Sequence, residues 1–296
     1  MLTYQRIDEL CQAAEQENAT ISRVILADQA RQLGVEEQVV YAQMAQRLQV
    51  MRESVESGMD PALRSSSGLS GGDASKMLAY AKTGGIAGPF VNHAIARTLA
   101  TSECNAAMGK IVAAPTAGSC GILPGTVLSV LEDGQCTQEQ AVMALFTAGG
   151  IGTVISSQAT LAGAEGGCQA ECGAAAAMAA AALVELKGGT PAQSAHACAI
   201  ALKNQLGLVC DPVAGLVEVP CIKRNVAGVM VALSAAEMAL AGIESKIPVD
   251  ECVSALYEVG RALPASLRET AQGGLAATPT GKRLKQEIFG TAKTDE

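Results

Sequence analysis

From Cys172 to Leu186 the chain reads CGAAAAMAAAALVEL, and that stretch restricts the fold more than any other. Alanine is the best helix former and carries only a methyl group, so such a helix lets its neighbours approach closely. Only about a dozen uncharged residues separate Glu171 from Glu185, whereas a membrane span needs roughly 20 strongly apolar ones. The stretch therefore predicts a buried, tightly packed helix. The rest of the composition agrees. Hydrophobic residues make up 49% of the chain but aromatics only 2%, with no Trp. A core with so few rings is filled by Ala, Leu, Val, Ile and Met. Strands prefer aromatic and β-branched side chains, and alternating strand patterns are scarce here. The expected fold class is all-α: a single large helical domain, a helical arm over residues 1–60, and a functional site on Gly/Ser loops.

Helices are expected at 3–17 and 20–57, the second with Thr20 as N-cap and Gly34 as an interruption. Others are expected at 73–83, 89–109, 121–132, 137–149, 151–161, 168–187, 191–206, 222–243, 249–262 and 281–288. Thr137 and Thr190 are the expected N-caps of two of these, and Pro191 takes the favoured first helical position. Residues 61–72, PALRSSSGLSGG, form a Ser/Gly-rich loop, and 115–125, PTAGSCGILPG, cannot be regular throughout.

A net charge of −8 argues against nucleic acid as a partner. MLTYQRIDEL has no apolar signal core, and ten cysteines without a secretory signal indicate a reducing compartment, so cytoplasm is expected and no membrane. No Ser/His/Asp triad, HExxH motif, P-loop or dinucleotide fingerprint is present.

Three cysteines stand out. Cys168 in AEGGCQAE, Cys210 in GLVCDP and Cys221 in VEVPCIKRN each neighbour Gly, Asp or Pro, and they lie 42 and 11 residues apart. Without a C-x2-C run, any site built from them is assembled by folding. Three thiolates suit an iron–sulfur cluster with one iron left open. The alternative is that each is a small buried hydrophobe. Cys168 is expected to open a helix, where backbone N–H groups favour a thiolate. Cys172, one helical turn on and facing the same side, is a rival ligand. Cys120, beside Ser119, is placed either near the cluster or in the core, and the other five cysteines have no supporting context.

Two loops are candidates for binding a carboxylate. Thr116, Ala117, Gly118 and Ser119 offer hydroxyls and accessible N–H groups ahead of a helix, and Ser65, Ser66, Ser67 and Gly68 form a second loop of that kind. Asn105 and Lys110 precede the first loop. His196 shares a predicted helix with Lys203 that leads toward Cys210, although a satisfied core histidine is the plainer reading.

Five blocks, SSSGLSGGDASKM, IVAAPTAGSCGILPG, GAEGGCQAECGAA, ALKNQLGLVCDPVAGLVEVPCIKRN and ETAQGGLAATPTG, closely resemble the alpha subunit of the iron–sulfur-dependent L-serine dehydratases, in order over nearly the whole chain. The resemblance implies a [4Fe-4S] cluster on Cys168, Cys210 and Cys221, and conversion of L-serine to pyruvate and ammonia. It implies an iron–sulfur catalytic domain at 61–296; Ser119, Lys110 and His196 are the catalytic candidates, the last two by their position in the sequence alone. Ser65, Ser66, Ser67, Gly68, Asn105, Thr116, Ala117 and Gly118 are the candidates for binding substrate. It further implies a separate beta subunit or fused equivalent that brings histidine-containing loops, so a hetero-oligomer is expected. Fused members of the family can end in a cysteine that caps the open iron, whereas this chain ends TAKTDE. Two alternatives remain: a cluster-dependent lyase acting on cysteine or another β-substituted amino acid, and an electron-transfer or structural iron–sulfur protein.

Overall fold

In the helix Ala174–Leu186 every residue except Glu185 is buried, as its alanines require. The computed structural model describes residues 3–290, so TAKTDE lies outside the described residues. Among those residues the helices in chain order are α1 (Ile7–Gln16), α2 (Ile21–Leu33), α3 (Glu37–Gly58), α4 (Asp73–Ala81), α5 (Gly88–Ala106), α6 (Ile122–Glu132) and α7 (Gln138–Gln158). They continue with the short α8 (Gly163–Gly166), then α9 (Ala174–Leu186), α10 (Pro191–Lys203), α11 (Cys221–Leu240), α12 (Val249–Ala262) and α13 (Pro279–Phe289). The fold is all-α. Extended pairing among the described residues is limited to one bridge between Cys210 and Arg268.

Helix α9 is the axis of the molecule. It packs against α6, α7, α10 and α11, and methyl groups in place of longer side chains let four helices surround it. Helices α1–α3 lie over α10, α7 and α5, and their apolar residues Ile7, Leu10, Ile25 and Leu48 belong to the same core. Buried carboxylates satisfy helix ends that would otherwise be orphaned. Asp250 accepts from the Ile7 and Asp8 N–H groups at 2.9 and 3.0 Å, and Glu103 accepts from those of Asp73 and Ala74 at 3.0 and 3.2 Å.

Thr20, Thr137 and Thr190 cap α2, α7 and α10 through their hydroxyls. Gly34 ends α2 at a φ of 66°, the left-handed conformation that stops a helix. One expected break is absent: α7 runs straight through Gly149–Gly150. A Cβ at position 150 would sit 2.6 Å from Ile25, so this glycine admits α2 rather than ending a helix. The helix expected at 168–187 opens instead with a wider π turn over Gln169–Gly173. Among the described residues α7, not the alanine stretch, is long and apolar enough to cross a membrane, and 67% of its apolar window is buried in the core.

Close approach also fixes Gly58, where a Cβ would collide with the Ala100 carbonyl on α5. Backbone does not yield as a side-chain tip does. Gly58→Ala is expected to destabilise the protein by about 2 kcal/mol, outweighing the roughly 1 kcal/mol that Ala gains in a helix. The thermal midpoint measures it; an unchanged midpoint would refute this contact.

Candidate active site

The three cysteines come from separate segments that local hydrogen bonds draw together. Cys168 sits at the head of the π turn. Gln169, fully buried beside it, donates its backbone N–H to Leu208 O at 3.0 Å, and its side chain accepts from Gly207 N–H at 2.8 Å. Those bonds hold the segment ending in Cys210 against the Cys168 turn. Cys210 is held on its other side by the bridge, donating to Leu267 O at 2.9 Å and accepting from Glu269 N–H at 2.7 Å. Cys221 is the first residue of α11, one residue earlier than the sequence reading placed that helix. Cys168 and Cys221 thus both lie at helical N-termini, where backbone N–H groups favour negative charge.

All three are nearly inaccessible, at 3%, 3% and 7% exposure. Burial first, and then the negative charge of Cys168, push the Cys221 thiol up to about 12, and the same causes raise that of Cys210. Cys168 moves the other way. Its Sγ shares a hydrogen bond with that of Cys172 at 3.5 Å, which lowers the Cys168 thiol, with a contribution from the Arg224 cation, and raises that of Cys172. Among the described residues no three His, Cys, Asp or Glu side chains converge tightly enough for a single metal ion. A multi-iron cluster makes no such demand, because each thiolate binds a different iron. The surroundings fit such a group. The donors are soft sulfur, the nearby cation Arg224 suits thiolates, and a Cβ at Gly163 would lie 3.2 Å from Cys210 Sγ and 2.7 Å from Glu171 Oε2. A larger residue than Gly163 would crowd both side chains.

The first loop faces Glu171, three residues after Cys168. Thr116 Oγ1 donates to Glu171 Oε1 at 2.8 Å and lies 3.2 Å from the buried Ser119 hydroxyl. Burial raises the Glu171 carboxyl, while the Thr116 bond lowers it. Asn105 donates to Ala117 O at 3.2 Å. Asn225 of α11 closes the arrangement by accepting from Gly121 N–H at 2.9 Å and donating to Gly118 O at 2.8 Å and Cys221 O at 3.0 Å. The serine loop turns on Gly68, whose N–H reaches Ser65 O at 3.0 Å. Ser67 and Ser70 donate their hydroxyls to Glu218 at 2.8 and 2.6 Å, and Ser66 is exposed.

The two loops and three cysteines are therefore linked. Two candidates make no hydrogen bond to that group. Lys110 is exposed beyond the end of α5, and His196 Nδ1 accepts from Ser245 N–H, 3.3 Å away, in the α11–α12 turn. Sequence reading did not single out Glu171, Glu218, Arg224 or Asn225, although all lie in or beside the blocks around the cysteines. It also passed over Glu269, which bonds Cys210, and Ala271 two residues on, whose φ values of 61° and 53° are costly for residues with a Cβ; such conformations cluster at functional sites.

The family of serine dehydratase alpha chains matches residues 15–276. A Bacillus subtilis protein named probable L-serine dehydratase, alpha chain, is 50% identical over 290 residues, 98% of this chain and 96% of that protein. The L-serine dehydratase alpha chain of Peptoniphilus asaccharolyticus is 51% identical over 219 residues, 74% of this chain and 75% of that one. The Escherichia coli L-serine dehydratase TdcG is 44% identical over 180 residues, 60% of this chain but only 40% of that protein.

Proposed function

Since the chain belongs to the family of serine dehydratase alpha chains, we propose that it deaminates L-serine to pyruvate and ammonia with a [4Fe-4S] cluster on Cys168, Cys210 and Cys221. One observation carries the reading: three buried cysteines from distant segments are held by hydrogen bonds that also tie their segments to two polar loops. When bound, the cluster supplies a Lewis-acidic iron that makes the serine hydroxyl a better leaving group. The chain's own residues do the rest. The N–H groups of 116–118 receive the substrate carboxylate, the Thr116 hydroxyl is held by Glu171 at the edge of that loop, Ser66 and Gly68 border the same substrate, and burial around Glu171 excludes water. Loss of the α proton and of hydroxide leaves aminoacrylate, which takes up water to give pyruvate and ammonia with no net electron transfer.

The site residues all fall within 61–296, which we assign as the catalytic part. Relatives named alpha chain support a second chain, and so does the 40% coverage of the E. coli enzyme. All ten cysteines are unpaired, in keeping with a reducing compartment, so we place the enzyme in the cytoplasm.

Ser119→Ala tests the first loop. The cluster should assemble with normal iron and sulfide content, while kcat/KM for L-serine falls about tenfold or more, the cost of one buried hydrogen bond. Unchanged kinetics in the paired enzyme would remove Ser119 from the site.

A further inference from the structure

We propose that Glu218 and Asn225 are positioning residues that fix the two substrate loops to the segment bearing Cys221; the assignment of the loops rests on the function proposed above. Glu218 lies three residues before Cys221 and Asn225 four residues after it. Glu218 is only 5% exposed. Burying a carboxylate is costly unless it is paired, yet the neighbouring cations are engaged elsewhere. Lys223 binds Asp73 at 2.7 Å, and Arg224 binds Asp211 at 2.7 Å. What Glu218 receives instead is the hydroxyls of Ser67 and Ser70, 151 and 148 residues away in sequence. Its carbonyl also accepts from Ile222 N–H at 3.1 Å, so the residue is tied to the first turn of α11. A carboxylate in that setting orients the serine loop.

Asn225 does the same for the other loop. Its amide makes three hydrogen bonds, two to the 118–121 backbone and one to the Cys221 carbonyl. One short stretch, 218–225, therefore carries a cluster ligand and the anchor of each loop. A displacement of Cys221 moves both anchors, so occupation of the cysteine site and order in the loops are coupled.

The test uses the full chain after anaerobic reconstitution, comparing wild type, Glu218→Gln, Ser70→Ala and Asn225→Ala. Iron and sulfide content should stay near the wild-type value in all four. Glu218→Gln keeps the volume but turns an N–H2 group toward one hydroxyl. Amide hydrogen exchange over 65–70 should then quicken about tenfold in Glu218→Gln and Ser70→Ala, with 116–121 unaffected. Asn225→Ala should show the reverse pattern. With the partner chain present, KM for L-serine should rise about fivefold or more while kcat changes less, as expected for misplaced binding groups. Equal exchange in both loops across the variants, or no change in either, overturns the proposal. If Glu218→Gln does not fold, Ser70→Ala decides, because it leaves the carboxylate in place. A wild-type enzyme that forms no pyruvate would defeat the proposed function, yet the exchange pattern would still judge the anchoring.

Discussion

Replacing Cys168, Cys210 or Cys221 by alanine, one at a time, is expected to abolish the visible charge-transfer absorption of the reconstituted protein and reduce bound iron to background. Each removes one of three protein ligands and leaves an iron exposed, so the loss should be near complete rather than graded. The discriminating variant is Cys172→Ala. Cys172 lies 3.5 Å from Cys168, fully buried among the alanines of α9, and its thiol is raised both by that contact and by burial. Cys172 lies in the π turn that leads into α9 and packs into the core, where it serves as a small buried hydrophobe, so Cys172→Ala should retain the cluster. Loss of iron from Cys172→Ala, with retention in any one of the other three, would reassign the site.

The second large effect concerns the partner. The reconstituted chain alone is expected to dehydrate L-serine at least about a hundredfold more slowly than the chain combined with the proposed second subunit, since general acid–base catalysis contributes roughly 10²–10⁴-fold. A base must lie within about 3 Å of the proton it takes, or reach it through one water. Lys110 points to solvent and His196 is engaged with Ser245, so neither is poised beside the cysteines. Steady-state pyruvate release, with and without the partner, measures the ratio. Full turnover by the single chain would return the search to Lys110 and His196.

Much of the fold was legible because its causes are local. An alanine run that cannot reach across a bilayer and a near absence of aromatic rings leave closely packed helices as the answer, and threonines ahead of apolar periodicity mark where those helices start. Gly149–Gly150 misled because a glycine that admits a neighbouring helix has the same one-letter signature as one that ends its own. The three cysteines stood out by their Gly, Asp and Pro neighbours, and their assignment as ligands is a proposal that rests on the family resemblance. Glu218 and Asn225 did not stand out, because their function lies in partners more than a hundred positions away, which no local spacing encodes. Ser67 shows the same limit from the other side: read as a substrate contact, its hydroxyl is spent on Glu218.

Three cysteines holding a cluster leave one iron open to L-serine. Mössbauer or electron paramagnetic resonance spectra of the anaerobically reconstituted chain, recorded with and without L-serine, test it most directly. One iron site distinct from the other three is expected, with a signal that shifts on adding L-serine but not D-serine at equal concentration. Four equivalent irons, indifferent to L-serine, would contradict it and indicate a fully ligated cluster of the electron-transfer kind.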